Sequence, residues 1–383
     1  MTAYADLMRK IWLKTSAKRR VVLTQGFKKA LSKFAPLFKG SQQHDSQELL
    51  ATLLDGIHED LDRVGEKKYI EENTHSGEND EDDAMEAWEL HLQRNNSVIV
   101  DFFQGQLRSR CECRACGNVS VRFEVFMYLS LPVDDDSESL DDCIASYVAE
   151  EELTGTNQWY CSKCKAHVDA TKKTDIWVLP RILIVHLKRF KFDDFGENGV
   201  KVETALDYPV AGWNLSKVVQ SKGSSETTYD LYATSNHLGC LDFGHYTTYA
   251  LNRFDKVWYE FNDISCRAID PRSTFESSSS PYMLFYSRSK SGSSNGGMST
   301  HRQSLGLPNL GSQAGHLANS SIKENGFQTP TSLDRDASAG RRQSGGLVSV
   351  PLKIPSRKSI PTRSSLMEPV DESGESDDDD EES

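Results

Sequence analysis

The sequence predicts an α+β domain followed by a tail that has no folded core. Three observations carry this reading. Apolar residues at helical spacing fill the chain up to Asn96, and β-branched and aromatic runs take over from Ser97. Helices first and strands later is the order of an α+β fold. Two Cys-x2-Cys pairs, Cys113/Cys116 and Cys161/Cys164, lie within the strand-rich half. All six tryptophans precede Ser287, and large apolar residues nearly vanish after it.

The chain has 383 residues and a formal net charge of −13, enough for one large domain or two ordinary ones. No apolar run approaches the ~20 residues that span a bilayer. The opening MTAYADLMRKIW lacks the charged-then-apolar layout of a secretory signal. The expectation is a soluble intracellular protein, cytoplasmic or nuclear, with no membrane partner. Eight cysteines in a long chain without a secretion signal point to metal binding or reduced thiols over a disulfide framework. The acidic balance argues against nucleic acid as a partner and suits a basic protein surface.

Taken in order, YADLMRKIW and FKKALSKFAPLF read as two short amphipathic helices. QQHDSQELLATLLDGIHEDLDRV follows as a longer one. Asp45 or Ser46 caps it, Glu48 stands three residues after Asp45, and Leu49, Leu50, Leu53, Leu54, Ile57 and Leu61 form one apolar stripe. The acidic segment 67–83 reads as a surface loop, and AMEAWELHLQRN after Asp83 as another helix. From Ser97 the predicted strands are SVIVDFF, GNVSVRFEVFMYLSLPV, TDIWVL, RILIVHLKRFKF, YDLYATSNHL, GHYTTYAL, KVWYEFN and SPYMLFYSR. Cys143, in LDDCIASY, reads as a buried helical thiol.

Residues 289–383 read as a disordered Ser/Gly-rich tail, because they cannot bury enough surface to offset chain entropy. The tail carries basic pairs at Arg341-Arg342 and Arg357-Lys358 and ends in the acidic block DESGESDDDDEES. Such blocks are solvated interaction tails that can bind other proteins. Ser344, after two arginines, and Ser376, before four aspartates, resemble kinase sites, a weak signal beside that of a plain flexible tail.

Each Cys-x2-Cys pair offers two thiolates on one tight turn, and two such turns complete a tetrahedral four-cysteine zinc site. The 44 residues between Cys116 and Cys161 make a long gap for such a site. Redox pairs or metal-free turns are the competing readings, although neither pair opens a helix in a βαβ pattern. Cys111 is a candidate spurious ligand. A closed four-sulfur shell implies a structural staple and no catalytic cofactor.

The segment from Gly244 to Asp263 reads as a hairpin around NRFD. With the bend centred between Arg253 and Phe254, Ala250 faces Val257, Tyr249 faces Trp258 and His245 faces Asn262. A slip of one residue would offer Asp263 instead. An imidazole oriented by an amide or carboxylate is two-thirds of a Cys-His-Asn apparatus. A lone pair of this kind is otherwise an ordinary cross-strand hydrogen bond.

These segments, in this order, resemble the ubiquitin-specific protease family of cysteine deubiquitinases. QQHDSQELLATLLDGIHEDL is similar to the family's Gln-Asp-Gln-Glu helix. CRACGNVSVRFEVFMYLSLP and WYCSKCK are similar to its zinc-knuckle segments, and LPRILIVHLKRFKFD to its central core strand. YDLYATSNHLGCLDFGHYTTYALN and WYEFND are similar to its His box, and SPYMLFY to its closing strand. The resemblance covers residues 1–288. It implies a papain-like hand of thumb, fingers and palm, and hydrolysis after ubiquitin's C-terminal glycine. It makes His245 the general base, Asn262 the residue that orients it, and Asp263 a neighbour that assists. It places Asp45 against the arginine-bearing ubiquitin tail and gives the fingers zinc to Cys113, Cys116, Cys161 and Cys164. Ubiquitin and ubiquitinated proteins are the implied partners.

One piece of the pattern has no counterpart. The family's nucleophile sits in a Gly-Asn-Thr-Cys-like box at a helix start, where the helix N-terminus helps hold the thiolate. No such box occurs in the 383 residues. The opening MTAYADLMRK resembles the segment that follows it. The remaining thiols, Cys240 before the His and Cys266 after the Asn, are not substitutes. The expectation is a catalytic domain lacking its N-terminal part, inactive alone, with the Gln helix short of its packing partner. The alternative is a non-catalytic protein that binds ubiquitin or another partner.

Overall fold

The computed structural model describes residues 1–289 except 13–21, 66, 68, 71–73, 193–198, 224–225 and 242. Its contacts divide the chain into Met1–Ala318 and Asn319–Ser383. The expected tail, with Ser344, Ser376 and the acidic block, lies outside the described residues.

The helical layer comes first. α1 (Thr2–Trp12) and α2 (Gln25–Phe34) are amphipathic but bury no residue completely, and a single 3-10 turn at Pro36–Phe38 follows. α3 (Ser46–Leu61) starts at an Asp45 cap whose carboxylate accepts the Gln47 N–H at 2.7 Å. Of its predicted stripe only Leu54 and Ile57 are buried. A cleft of about 130 Å³ remains beside Tyr4, Phe27, Leu31, Phe34 and Leu53.

Two sequence expectations fail in the next stretch. The loop predicted at 67–83 gives way to α4 (Asp80–Leu92), which starts before Asp83. The acidic run Asp80–Asp83 is its first turn, where the helix dipole favours negative charge. Residues 98–103, expected as a strand, form α5 (Val98–Phe103). Ser97 decides this: its hydroxyl accepts the Ile99 and Val100 amides as an N-cap, which outweighs the β-branched composition.

The strands then build two principal sheets. β1 (Gly105–Cys113), β2 (Val119–Phe126) and β3 (Leu129–Pro132) are followed by α6 (Leu140–Tyr147), which buries Cys143. β4 (Glu150–Leu153), β5 (Trp159–Cys161), β6 (Ala166–Val168) and β7 (Ala170–Val178) come next, then β8 (Ile182–Lys188), β9 (Phe190–Phe192), β10 (Gly199–Lys201) and β11 (Trp213–Asn214). β12 (Thr228–Gly239), β13 (Gly244–Leu251), β14 (Trp258–Asn262), β15 (Ser265–Ile269), α7 (Pro271–Thr274) and β16 (Pro281–Arg288) follow as the last elements among the described residues.

β2-β1-β7-β4 form a four-stranded antiparallel sheet, and β15-β14-β13-β12-β16-β8-β3 carry the larger one, with β11 paired to β12. The helical layer, the small sheet with the cysteine pairs and the large sheet are the thumb, fingers and palm of the expected hand. The main core lies against the large sheet and includes Leu131, Leu140, Ile176, Leu183, Tyr229 and Tyr286. A second cluster, Leu54, Ile57, Ile99 and Ile184, packs α3 and α5 onto it. Among the described residues no helix is long and apolar enough to cross a membrane.

Two arginines tie distant segments together. Arg108 donates to the buried carboxylate of Asp175 at 2.6 and 3.1 Å and also reaches Asp80, so the start of α4 is tied to the fingers. Arg189 is fully buried, and its guanidinium donates to four backbone carbonyls: Pro281 at 2.7 Å, Thr204 at 2.8 Å, Val202 at 3.1 Å and Ser278 at 3.5 Å. Burial pulls its pKa down to about 10, which leaves it charged at neutral pH. Replacing it strands those acceptors, so Arg189→Met is expected to cost about 3 kcal/mol or more. Arg189→Lys, whose single nitrogen cannot span four carbonyls, should recover only a minor part. Urea unfolding midpoints of the two variants check this.

Candidate active site and metal centre

His245 is the second residue of β13 and Asn262 the last of β14. The predicted register is corrected by two residues. Ala250 pairs with Tyr259 and Tyr249 with Glu260, so the ladder does not place His245 opposite Asn262. A shift of two keeps every side chain on its own face. The contact therefore survives as a diagonal one, with His245 Nε2 and Asn262 Oδ1 at 2.8 Å. An amide oxygen only accepts, so Nε2 carries the proton and Nδ1 presents its lone pair. Asp263 brings a carboxylate oxygen to 3.9 Å from the same Nε2. It does so from a left-handed backbone, φ +49°, at the turn between β14 and β15, a conformation that Asp tolerates better than most residues. The His245 side chain is 45% exposed, and with Nε2 held by Asn262, Nδ1 is the nitrogen left for a substrate or a nucleophile.

No thiol among the described residues hydrogen-bonds to that ring. Cys111 is half-buried on β1 and Cys143 is buried in α6, where desolvation pushes both thiols up. Cys240 is exposed in the turn between β12 and β13, and Cys266 is exposed on β15.

Asp45 is held from two sides, by Gln47 N–H on one oxygen and by the buried Tyr282 hydroxyl at 2.5 Å on the other. His186 and His237 line the same aromatic cluster, with ring centroids 4.9 and 6.3 Å from that of Tyr282. Burial pulls the His186 pKa down to about 4, so it is neutral at pH 7. Three contacts were not read from the sequence. Gln43 Oε1 accepts the Gly244 N–H at 3.1 Å. Lys201 Nζ donates to the carbonyls of His237 at 2.9 Å and Gly239 at 3.1 Å. The His237 ring lies over Gly244, where an added Cβ would come within 2.0 Å of Nε2. The available signal was Gly244 itself, since a glycine inside a strand marks a close approach.

In the fingers, the four predicted cysteines come together without Cys111. Their sulfurs all lie within 4.8 Å of one another. Cys113 and Cys164 are 3.8 Å apart, and Cys116 and Cys161 are 3.7 Å apart. These spacings are far longer than a disulfide and match the ~3.8 Å edge of a tetrahedron with metal–sulfur bonds of ~2.3 Å. Each pair ends in a left-handed residue, Gly117 at φ +66° and Lys165 at φ +54°. There the backbone N–H turns back onto the carbonyl of the first cysteine. The Cys164 amide points at Cys161 Sγ and pulls that thiol down to about 7. Cys164, beside Cys116, Cys161 and Cys113, is pushed up to about 12. The donor set fits a metal ion that favours thiolates.

Comparison with known proteins agrees with this geometry. The profile described as "UCH: Ubiquitin carboxyl-terminal hydrolase" matches residues 1–286. Ubiquitin carboxyl-terminal hydrolase 2 of Gallus gallus is 34% identical over 289 residues, covering 75% of this chain and 79% of that protein. Ubiquitin carboxyl-terminal hydrolase 2 of Rattus norvegicus is also 34% identical, but the match spans 46% of its length. Ubiquitin carboxyl-terminal hydrolase 21 of Homo sapiens is 33% identical over 307 residues, covering 74% of this chain and 52% of that protein. The match thus spans about half of several relatives. The SAGA Ubp8/Sgf11/Sus1/Sgf73 DUB module bound to ubiquitin aldehyde shares the fold, with TM-score 0.56, 22% identity and coverage of 75% of this chain and 59% of that one. On the match across residues 1–286 and these identities, the chain belongs to the ubiquitin carboxyl-terminal hydrolase family, as a ubiquitin-specific protease.

Proposed function

We propose that residues 1–288 are part of a thiol-dependent deubiquitinase that hydrolyses peptide and isopeptide bonds after the C-terminal glycine of ubiquitin. The observation that carries this is the His245–Asn262 hydrogen bond at 2.8 Å, which leaves Nδ1 as the basic atom. In that role Nδ1 takes the proton from an attacking thiol and later returns it to the leaving amine. Asn262 holds the tautomer, and Asp263 stabilises the imidazolium that forms. Asp45 offers a carboxylate, prearranged by Tyr282, to the basic tail of ubiquitin. Cys113, Cys116, Cys161 and Cys164 would hold zinc, which closes its shell with four thiolates and fastens the fingers without taking part in the chemistry.

A second reading has its own support. No thiol among the described residues hydrogen-bonds to His245. A protein with this surface and no nucleophile binds ubiquitin, or another partner, without cutting. The two readings share ubiquitin binding and part company over where the thiol comes from. Cytoplasm or nucleus is the proposed location, and ubiquitinated proteins are the proposed targets.

Incubated with ubiquitin bearing a C-terminal electrophile, the 383-residue chain is expected to bind and to form no covalent adduct. An adduct seen by mass spectrometry would mean that one of the eight cysteines is a nucleophile after all. Asp45→Asn keeps the helix cap and removes the charge, so ubiquitin affinity by titration calorimetry should fall about tenfold. For the fingers, atomic emission should find one zinc per chain. Cys164→Ser should lose it and melt about 5 °C or more below the parent, and full occupancy in that variant would refute the four-sulfur assignment.

A further inference from the structure

We propose that Gln43 is a positioning residue for His245: its carboxamide stands where a neighbouring strand would be and fixes the backbone that carries the imidazole. The inference rests on the catalytic reading of His245 for its purpose, but not for its test.

The argument begins with the ladder. The Cys240 N–H donates to Phe243 O at 2.8 Å where β12 turns into β13. Hydrogen-bonded pairs in an antiparallel ladder recur at every second residue. Leu238/His245 and Asn236/Thr247 are therefore the bonded pairs in the register of these strands. The N–H groups of Gly244 and Tyr246 then point away from β12. On that side β14 should receive them, but its pairing with β13 ends at Thr248↔Phe261. The segment before Thr248, which holds His245, has lost one of its two neighbours.

Gln43 takes the vacated place and accepts the Gly244 N–H at 3.1 Å. It sits two residues before the Asp45 cap, on a segment anchored through Tyr282. The opposite side of the turn is held by Lys201 on the carbonyls of His237 and Gly239. From above, the His237 ring fills the space that a Gly244 side chain would need. Gly244 can thus move neither toward β12 nor toward His237, and Gln43 restrains the remaining direction. His245 is the next residue, so its Cα is set by this clamp while its ring is set by Asn262. Both restraints are needed to keep Nδ1 at one place.

Two variants of the full chain test the role. Gln43→Met keeps the length and removes the acceptor, while Gln43→Glu keeps an acceptor. Gln43 is exposed, so neither substitution disturbs a core. By NMR hydrogen exchange, the Gly244 amide should exchange about tenfold faster in Gln43→Met and return to within about twofold of the parent in Gln43→Glu. Amides deeper in β13, from Thr248 to Leu251, should not change. The His245 ring resonances should broaden in Gln43→Met, as the imidazole samples more positions, and sharpen again in Gln43→Glu. Unchanged Gly244 exchange in Gln43→Met would overturn the proposal, as would equal acceleration along all of β13. Neither readout needs ubiquitin or a thiol. Failure here leaves the deubiquitinase reading in place, and failure of ubiquitin binding leaves the role of Gln43 in place.

Discussion

The site depends on the N-terminal end of α3 being fastened to the large sheet. Asp45 receives the hydroxyl of Tyr282 from β16, the Ser46 N–H meets the Tyr246 hydroxyl of β13 at 3.4 Å, and Gln43 takes the Gly244 amide. These partners stand 237, 200 and 201 residues apart in the chain. Without them the helix would cover the sheet only through Leu54, Ile57 and their half-buried neighbours. Such apolar packing is non-directional and would tolerate a slide of the helix along the sheet. The hydrogen bonds are directional and place an acidic side chain and an imidazole on one face. Stability comes from the burial and the register of the two elements from the polar contacts.

Much of this was legible in the residues. The helix of QQHDSQELL, with its Asp45 cap, follows from a capping residue ahead of an apolar stripe, and the four sulfurs follow from two tight turns. His245 and Asn262 were paired correctly for a partly wrong reason. A hairpin drawn around Arg253 and Phe254 misplaces the ladder by two residues, and only the period of two in a strand rescued the pairing. The β-branched composition of Val98–Phe103 reads as a strand, and the Ser97 cap, which composition does not register, makes it a helix. The helix at Asp80 was started late because an acidic run looks like a loop unless its place in the first turn is considered. Gly244 marks the close approach of the His237 ring seven residues before it, but Gln43 and Lys201 give no local signal. Their partners are backbone groups more than thirty residues away, and no pattern of side chains records which N–H a diverging strand will leave unpaired.

The fingers and the palm solve the same problem by different means. The large sheet has a continuous core on which side chains such as Leu183, Leu284 and Tyr286 are fully buried. The small sheet has Trp177, Val178 and Ala84, with Phe123 packed against them. Toward its tip, β5 and β6 have three residues each, and Tyr160 is exposed. A hairpin that small is marginal in water, and the four cysteines lie where the apolar core gives out. The outer strand, β4, begins with three exposed glutamates, which discourages pairing with another chain along that edge.

The long span between Asp45 and Tyr282 also sets a timetable for synthesis. When Leu61 completes α3, Tyr282, which anchors its first turn, is still 221 residues from being made. At ~5–20 residues per second this is an interval of roughly 11–44 s. During that time Leu49, Leu50 and Leu53 have no sheet to lie on. Of the described elements, α1 and α2, which bury no residue completely in the finished fold, are the ones already made that can lie against these leucines meanwhile.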